Sequence, residues 1–170
     1  MKTEAVTKSA VRKYVRWALF DADLHCHSPR VMPVHTIYAQ KTGESTIKAL
    51  GKLNKRLQKL AKVYLDAAGL SQNYEHAFPV LYGFFLCGPI VALLTMDSDP
   101  NKAAGMKEGA RSRFVSQFDL SERGQDVWNS LAIAIMTMYI RKTMMKVKEE
   151  VKGGLWKFID SAPMDMDEDL

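Results

Sequence analysis

One uncharged segment limits what this chain can fold into more than any other feature. The nineteen residues Phe78–Met96 carry no charged side chain, which approaches the length of a membrane-spanning helix. Gly88-Pro89 interrupts the middle of the segment, and its flanks, Glu75-His76 and Asp97–Asp99, lack the lysine or arginine that anchors a span. We therefore predict a buried hairpin of two short helices, or a helix plus a loop, that supplies the core.

Length and composition favour one compact domain. At 170 residues, 47% hydrophobic and 25% charged, the chain has the size and balance of a globular unit. We predict a basic N-terminal arm at residues 1–13, a globular domain at 14–159 and a disordered acidic tail at 160–170. Cys26 and Cys87 lack paired spacing, and the N-terminus shows no apolar export segment, so a reducing intracellular setting is expected.

The charge is distributed unevenly. The chain has 24 basic and 19 acidic residues, and five of the acids lie in residues 160–170. Residues 1–159 therefore hold 24 bases against 14 acids, a net charge of +10. This charge predicts attraction to a polyanion, such as RNA or an anionic membrane surface, although it is also compatible with a role in solubility alone.

The N-terminal third can be interpreted in two ways. Aromatic and β-branched residues from Tyr14 to Phe20 favour a strand that continues to about Cys26, with a helix as the competing interpretation. Ser28-Pro29 then breaks regular structure, and Val34–Ala39 is expected to form a second strand.

A helix from Ser45 to Ala68, ending at Gly69, is predicted by its cap residues and its periodicity. Apolar residues spaced three and four apart form a seam that we assign to self-association: Leu50, Leu53, Leu57, Leu60 and Tyr64. Beside it runs a stripe of lysines: Lys48, Lys52, Lys55, Lys59 and Lys62. The stripe is either a solvated helix face or, as we predict, a docking surface for phosphate. Arg111 and Arg113, in a basic loop or short helix between Lys102 and Phe118, are added to this anion-binding set.

A second long helix is predicted near the C-terminus. Asp119 or Ser121 is a candidate cap, with Glu122 completing a capping box, and Gly153-Gly154 ends the helix. Its apolar face comprises Val127, Trp128, Leu131, Ile135, Met138 and Tyr139. The predicted fold class is thus mainly α with a possible small N-terminal β element (α+β), in a single compact domain with a long C-terminal helix.

The segment Asp23-Leu24-His25-Cys26-His27-Ser28 has the most recognisable chemistry. It resembles the first motif of the polymerase-and-histidinol-phosphatase family of metal-dependent phosphoesterases, in which a strand-borne His-x-His helps to bind metal ions. The resemblance implies His25, His27 and Asp23 as metal ligands. In place of the family's acidic Ser-Asp-Gly turn this chain has Ser28-Pro29-Arg30, and no convincing fourth ligand follows. A phosphoesterase fragment is therefore kept as the less favoured alternative.

No phosphate-binding glycine loop, dinucleotide fingerprint, nucleophile elbow or zinc spacing is present in the sequence. We accordingly predict a protein that is not an enzyme, takes no cofactor and binds no identified small-molecule substrate. Trp156 and Phe158 lie next to lysines, a combination that suits shallow membrane insertion. The charge pattern alone therefore does not distinguish between RNA and a membrane surface as the partner.

The layout of the chain, a basic arm, a methionine-rich body and an acidic tail, is similar to that of the matrix proteins of plant rhabdoviruses. The resemblance implies a structural protein that self-associates as a homo-oligomer, binds the nucleocapsid and contacts the inner membrane face, in host cytoplasm and virion. The alternative is a cellular helical protein that binds nucleic acid or acts as an adaptor.

Overall fold

A computed structural model describes residues 3–24, 32–69, 78–104 and 112–151. Within these residues the chain forms four helices and one four-stranded sheet. In chain order the elements are α1 (Thr3–Phe20), β1 (His35–Ala39), α2 (Thr46–Gly69), β2 (Val80–Cys87), β3 (Ile90–Asp97), α3 (Pro100–Ala104), β4 (Arg113–Asp119) and α4 (Asp126–Val151).

The sheet is mixed, and its strands lie in the order β1-β2-β3-β4. Strand β1 pairs in parallel with β2, and α2 forms the connection between them. Strands β2 and β3 form a hairpin whose turn contains Gly88 at a φ of +58°, a conformation that glycine adopts without strain. Strand β4 pairs antiparallel with β3, with an irregularity between Leu93 and Leu94.

The uncharged segment forms this β-hairpin, so the predicted helical hairpin is wrong. Leu81, Phe84, Leu86 and Val91 are fully buried, because helices cover the strands on both faces. A strand buried on both sides is apolar at every position and loses the alternation that normally identifies it. The fold is therefore α/β and not mainly α, which corrects the predicted fold class.

Helices lie on both faces of the sheet. Helix α2 packs on the face that contains Gly83, where an added Cβ would lie 3.2 Å from Leu57 Cδ1. On the opposite face Tyr82 shares a 3.1 Å hydrogen bond with Thr143 of α4. Helix α1 contacts β1, β2 and α4. The molecule thus has three layers, with the sheet in the middle.

Helix α1 corrects the prediction for the N-terminal third. The predicted strand from Tyr14 is wrong, and residues 3–13, expected in the basic arm, belong to the same helix. Its buried residues are Val11, Val15, Ala18 and Leu19, which recur at helical spacing. The second predicted strand is confirmed as β1. The predicted acidic tail, residues 160–170, lies outside the described residues.

Helix α4 confirms the predicted long helix but begins later than its predicted cap. Asp119 Oδ1 accepts hydrogen bonds from the backbone N–H and hydroxyl of Ser121, at 2.8 and 2.6 Å, and so stabilises a turn after β4. The helix starts at Asp126, and its buried apolar residues are Met136, Ile140, Met144 and Val147. No helix within the described ranges has the length and apolar character needed to cross a bilayer.

Candidate anion-binding surface

Helix α2 has one buried face and one basic face. Ser45 caps it as predicted, since its hydroxyl accepts the Lys48 backbone N–H at 3.3 Å. The predicted leucine seam packs onto the sheet: Leu53, Leu57 and Tyr64 are buried, and Leu50 and Leu60 are partly buried against the core. The assignment of this seam to self-association is wrong, because its contacts are made within the same chain.

The predicted lysines lie on the opposite side of α2. Lys52, Lys55, Lys59 and Lys62 line an open groove, and Lys48 lies in the depression next to it, which shares Lys41 and Lys52. The groove has a volume of about 790 Å³, and Tyr38 of β1 forms part of its wall. Lys41 and Arg56, which the prediction missed, contribute to the same region. We use the term basic surface for Lys41, Lys48, Lys52, Lys55, Arg56, Lys59 and Lys62.

Glu44 fixes the loop that enters the basic surface. Its carboxylate accepts hydrogen bonds from the Tyr38 hydroxyl at 2.9 Å and from the Lys41 backbone N–H at 3.1 Å, and it forms an ion pair with Lys52. The Gln40 side-chain amide donates to the Glu44 carbonyl. The loop therefore has little freedom to move relative to β1 and α2.

Glu44 compensates one charge and leaves most of the others. Lys48, Lys55, Lys59 and Lys62 have no acidic partner among the described residues. The guanidinium of Arg56 lies 5.2 Å from the centre of the Tyr38 ring, a cation–π contact that orients it. The predicted stripe is thus present as one continuous surface, with Lys52 partly neutralised.

The carboxylate of Glu44 should titrate at unusually low pH. The hydrogen bonds from Lys52, the Lys41 N–H and Tyr38 lower its pKa from 4.5 to about 2. Because the folded-state pKa is depressed, the stabilisation is fully present above pH 4.5 and is lost as the pH falls toward 2. Carbon-detected NMR titration should show this value in the native protein.

Lys52→Met should move the Glu44 pKa back toward 4.5, since it removes the largest cause of the shift. Lys48→Met is the matched control, because it removes a neighbouring charge but keeps the ion pair with Lys52. An equal rise of the Glu44 pKa in both variants would show that the general positive field, and not the contact with Lys52, lowers this pKa.

Two of the remaining predicted site residues, Arg113 and Asp23, lie within the described part of the chain and away from the basic surface. Arg113 is exposed on edge strand β4, and the strand register places it on the sheet face opposite to α2. Arg111, His25 and His27 lie outside the described residues. Asp23 is exposed, with a φ of +54°, and forms an ion pair with Lys148 at 3.4 Å. Within the described ranges no three His, Cys, Asp or Glu side chains cluster as a metal site.

No protein-family model, curated protein or solved structure matches this chain.

Proposed function

We propose that this is a non-enzymatic protein that binds RNA through its phosphates, using the basic surface on α2. The observation that supports this most directly is the charge of that helix, which carries six bases and one acid, Asp66. From Lys48 to Lys62 the helix rises by roughly 21 Å, over which one strand of a duplex carries about six phosphates.

The shape of the surface favours a nucleic-acid strand over a membrane. The bases border an open groove, and Arg56 is held over Tyr38 inside it, so the positive charge lines both the floor and the rim of a depression. A membrane-bound helix needs a continuous exposed apolar face that inserts between lipids, whereas the exposed apolar residues of α2, Ile47, Val63 and Leu65, do not form one stripe along the helix. The aromatic residues predicted for that task, Trp156 and Phe158, lie outside the described residues. The groove itself offers hydrogen bonds and charge, without base-specific contacts.

Reversing three charges on the basic surface should strongly weaken RNA binding. In Lys55→Glu/Lys59→Glu/Lys62→Glu all three changed side chains are exposed, so the fold should persist. We expect the Kd for a single-stranded RNA oligomer to rise at least about 10-fold at low salt, and the slope of log K against log salt to fall by about 2, since each lost contact with a single strand removes about 0.7. Fluorescence anisotropy across a salt series measures both.

The matched control is Lys13→Glu/Arg16→Glu/Arg123→Glu, which alters the net charge equally at exposed positions outside the basic surface. It should leave most of the affinity intact. Equal weakening by both triple variants would reduce the effect to net charge and overturn the proposal. Binding of anionic vesicles but not RNA would assign the basic surface to a membrane.

The wider role in virion assembly stays a prediction, because only the layout of the chain supports it. It requires self-association, and the leucine seam assigned to that task is buried in the core.

A further inference from the structure

Helix α4 has a second apolar face that points away from the sheet. Its exposed positions recur at alternating steps of three and four residues, and we call them the outer stripe: Trp128, Leu131, Ile135, Met138, Lys142 and Met145. Trp128 is 66% exposed and Met138 57% exposed, although both are large apolar side chains. Exposed apolar surface that is continuous over this length marks an interaction site in a folded protein.

The spacing of the outer stripe is that of a helix that packs against another helix. Steps of three and four average 3.5 residues, the repeat of a coiled-coil seam. The inner side of α4 is already occupied, because Met136, Ile140 and Met144 are buried against the rest of the chain. Arg141 also pairs with Asp21 at 2.9 Å and Lys148 with Asp23 in the turn after α1, so these contacts support the rotation of α4 that its buried residues set. The outer stripe is therefore held rigidly outward.

We propose that two copies of this chain form an antiparallel dimer through the outer stripe of α4. The stripe is self-complementary in this orientation. Trp128 of one protomer packs on Met145 of its partner, Leu131 on Lys142, and Ile135 on Met138, and the two-fold axis repeats each pair. This is an isologous interface, the commonest kind in homo-oligomers.

Charge favours the antiparallel over the parallel arrangement. Lys142 is the charged member of the stripe, and parallel pairing would place it against its own copy. In the antiparallel pair its aliphatic part lies over Leu131 of the partner while its ammonium group reaches water. Lys142 and Lys146 then lie beside the N-terminal part of the partner helix, which carries the acidic residue Asp126. The two helix dipoles also point in opposite directions, which is their favourable alignment.

The area is sufficient for a specific contact. With its side chains about half exposed, the outer stripe together with Tyr139 presents roughly 600 Å² per protomer, so a pair buries about 1,200 Å², the lower bound of a specific interface. A membrane surface fits less well, because the exposed bases of α4 are confined to its second half instead of flanking the stripe along its whole length.

Sedimentation equilibrium of the full chain tests the proposal. We expect a species of twice the 19.2 kDa monomer mass at micromolar concentration, and a monomer for Ile135→Glu/Met138→Glu. Both substituted side chains are exposed, so circular dichroism and Tm should stay close to the wild type. Val63→Glu/Leu65→Glu, which adds the same charge at exposed positions of α2, should remain a dimer.

Disulfide trapping tests the orientation. In a background with Cys26→Ser and Cys87→Ala, a mixture of Leu131→Cys and Lys142→Cys proteins should form mixed disulfides. Leu131→Cys alone should not, since the two copies of this position lie about 16 Å apart along an antiparallel pair. Trapping of Leu131→Cys with itself would overturn the antiparallel arrangement.

A monomer at all concentrations would overturn the dimer, as would a dimer that survives Ile135→Glu/Met138→Glu. If the wild-type protein is monomeric and binds vesicles, and Ile135→Glu/Met138→Glu does not bind them, the outer stripe would be assigned to a membrane. The dimer and RNA binding are tested separately. If the lysine variants bind RNA as well as the wild type does, the proposed dimer still stands, and if the protein is monomeric, the proposed role of the basic surface still stands.

Discussion

Leu57→Ala should lower the free energy of unfolding by about 2 to 5 kcal/mol, the usual cost of removing a buried leucine side chain. Leu57 is fully buried and packs over Gly83, where the absence of a side chain lets α2 approach β2 closely. Alanine would leave a cavity between the helix and the sheet that neither can close, because α2 is also held at Tyr64, whose hydroxyl donates to the Met32 carbonyl at 3.1 Å.

Leu65→Ala is the matched control, since it makes the same substitution in the same helix at a side chain that is 42% exposed. Its effect should stay within about 0.5 kcal/mol. Chemical denaturation of both variants measures the difference, and sedimentation shows whether the mass changes. If Leu57→Ala dissociated an oligomer without destabilising the monomer, the burial of the seam against its own sheet would be disproved.

Acid should destabilise this protein through His35. The side chain lies on the α1 side of the sheet, and its Nδ1 is buried without a hydrogen-bond partner among the described residues. Burial, with a smaller contribution from the charge of Arg12, lowers the pKa of His35 from 6.5 to about 4. The unfolded chain therefore binds a proton between pH 6.5 and 4 that the folded protein does not bind.

Stability should consequently fall as the pH is lowered from 6.5 toward 4, and the loss due to this one residue should reach about 3 kcal/mol. His35→Gln removes the titration, so the difference in unfolding free energy between pH 7 and pH 4 should shrink by about that amount relative to the wild type. Urea denaturation at both pH values measures it. Identical pH dependence in the two proteins would contradict the expectation.

The helix α2 could be predicted closely because its signals are local. Ser45 and Gly69 mark its two ends in the sequence, and the leucines and lysines fall on separate faces. The lysine stripe was predictable for the same reason. The direction of the leucine face was not, since spacing alone does not reveal whether a helix packs on another helix or on a sheet. Tyr38 joins the site through the fold of β1, which no local pattern shows.

Two other elements were mispredicted for different physical reasons. In α1 the β propensity of Tyr14 and Val15 outweighed the helical spacing of the buried residues, although the packing of the helix on the sheet decides the outcome. In β2 and β3 burial on both faces removed any periodicity, and the short lengths on either side of Gly88-Pro89 were the remaining sign of strands. In α4 both faces are apolar, so the sequence could not show which face is inside.

The two proposed surfaces lie on opposite faces of the sheet, since α2 packs beside Gly83 and α4 beside Tyr82. Two protomers joined back to back through α4 would turn their basic grooves outward in opposite directions. One such dimer is bivalent, but its grooves cannot join into a single longer track on the same RNA segment. Such a dimer would instead bind two separate RNA segments and hold them together, so it would cross-link and compact the RNA.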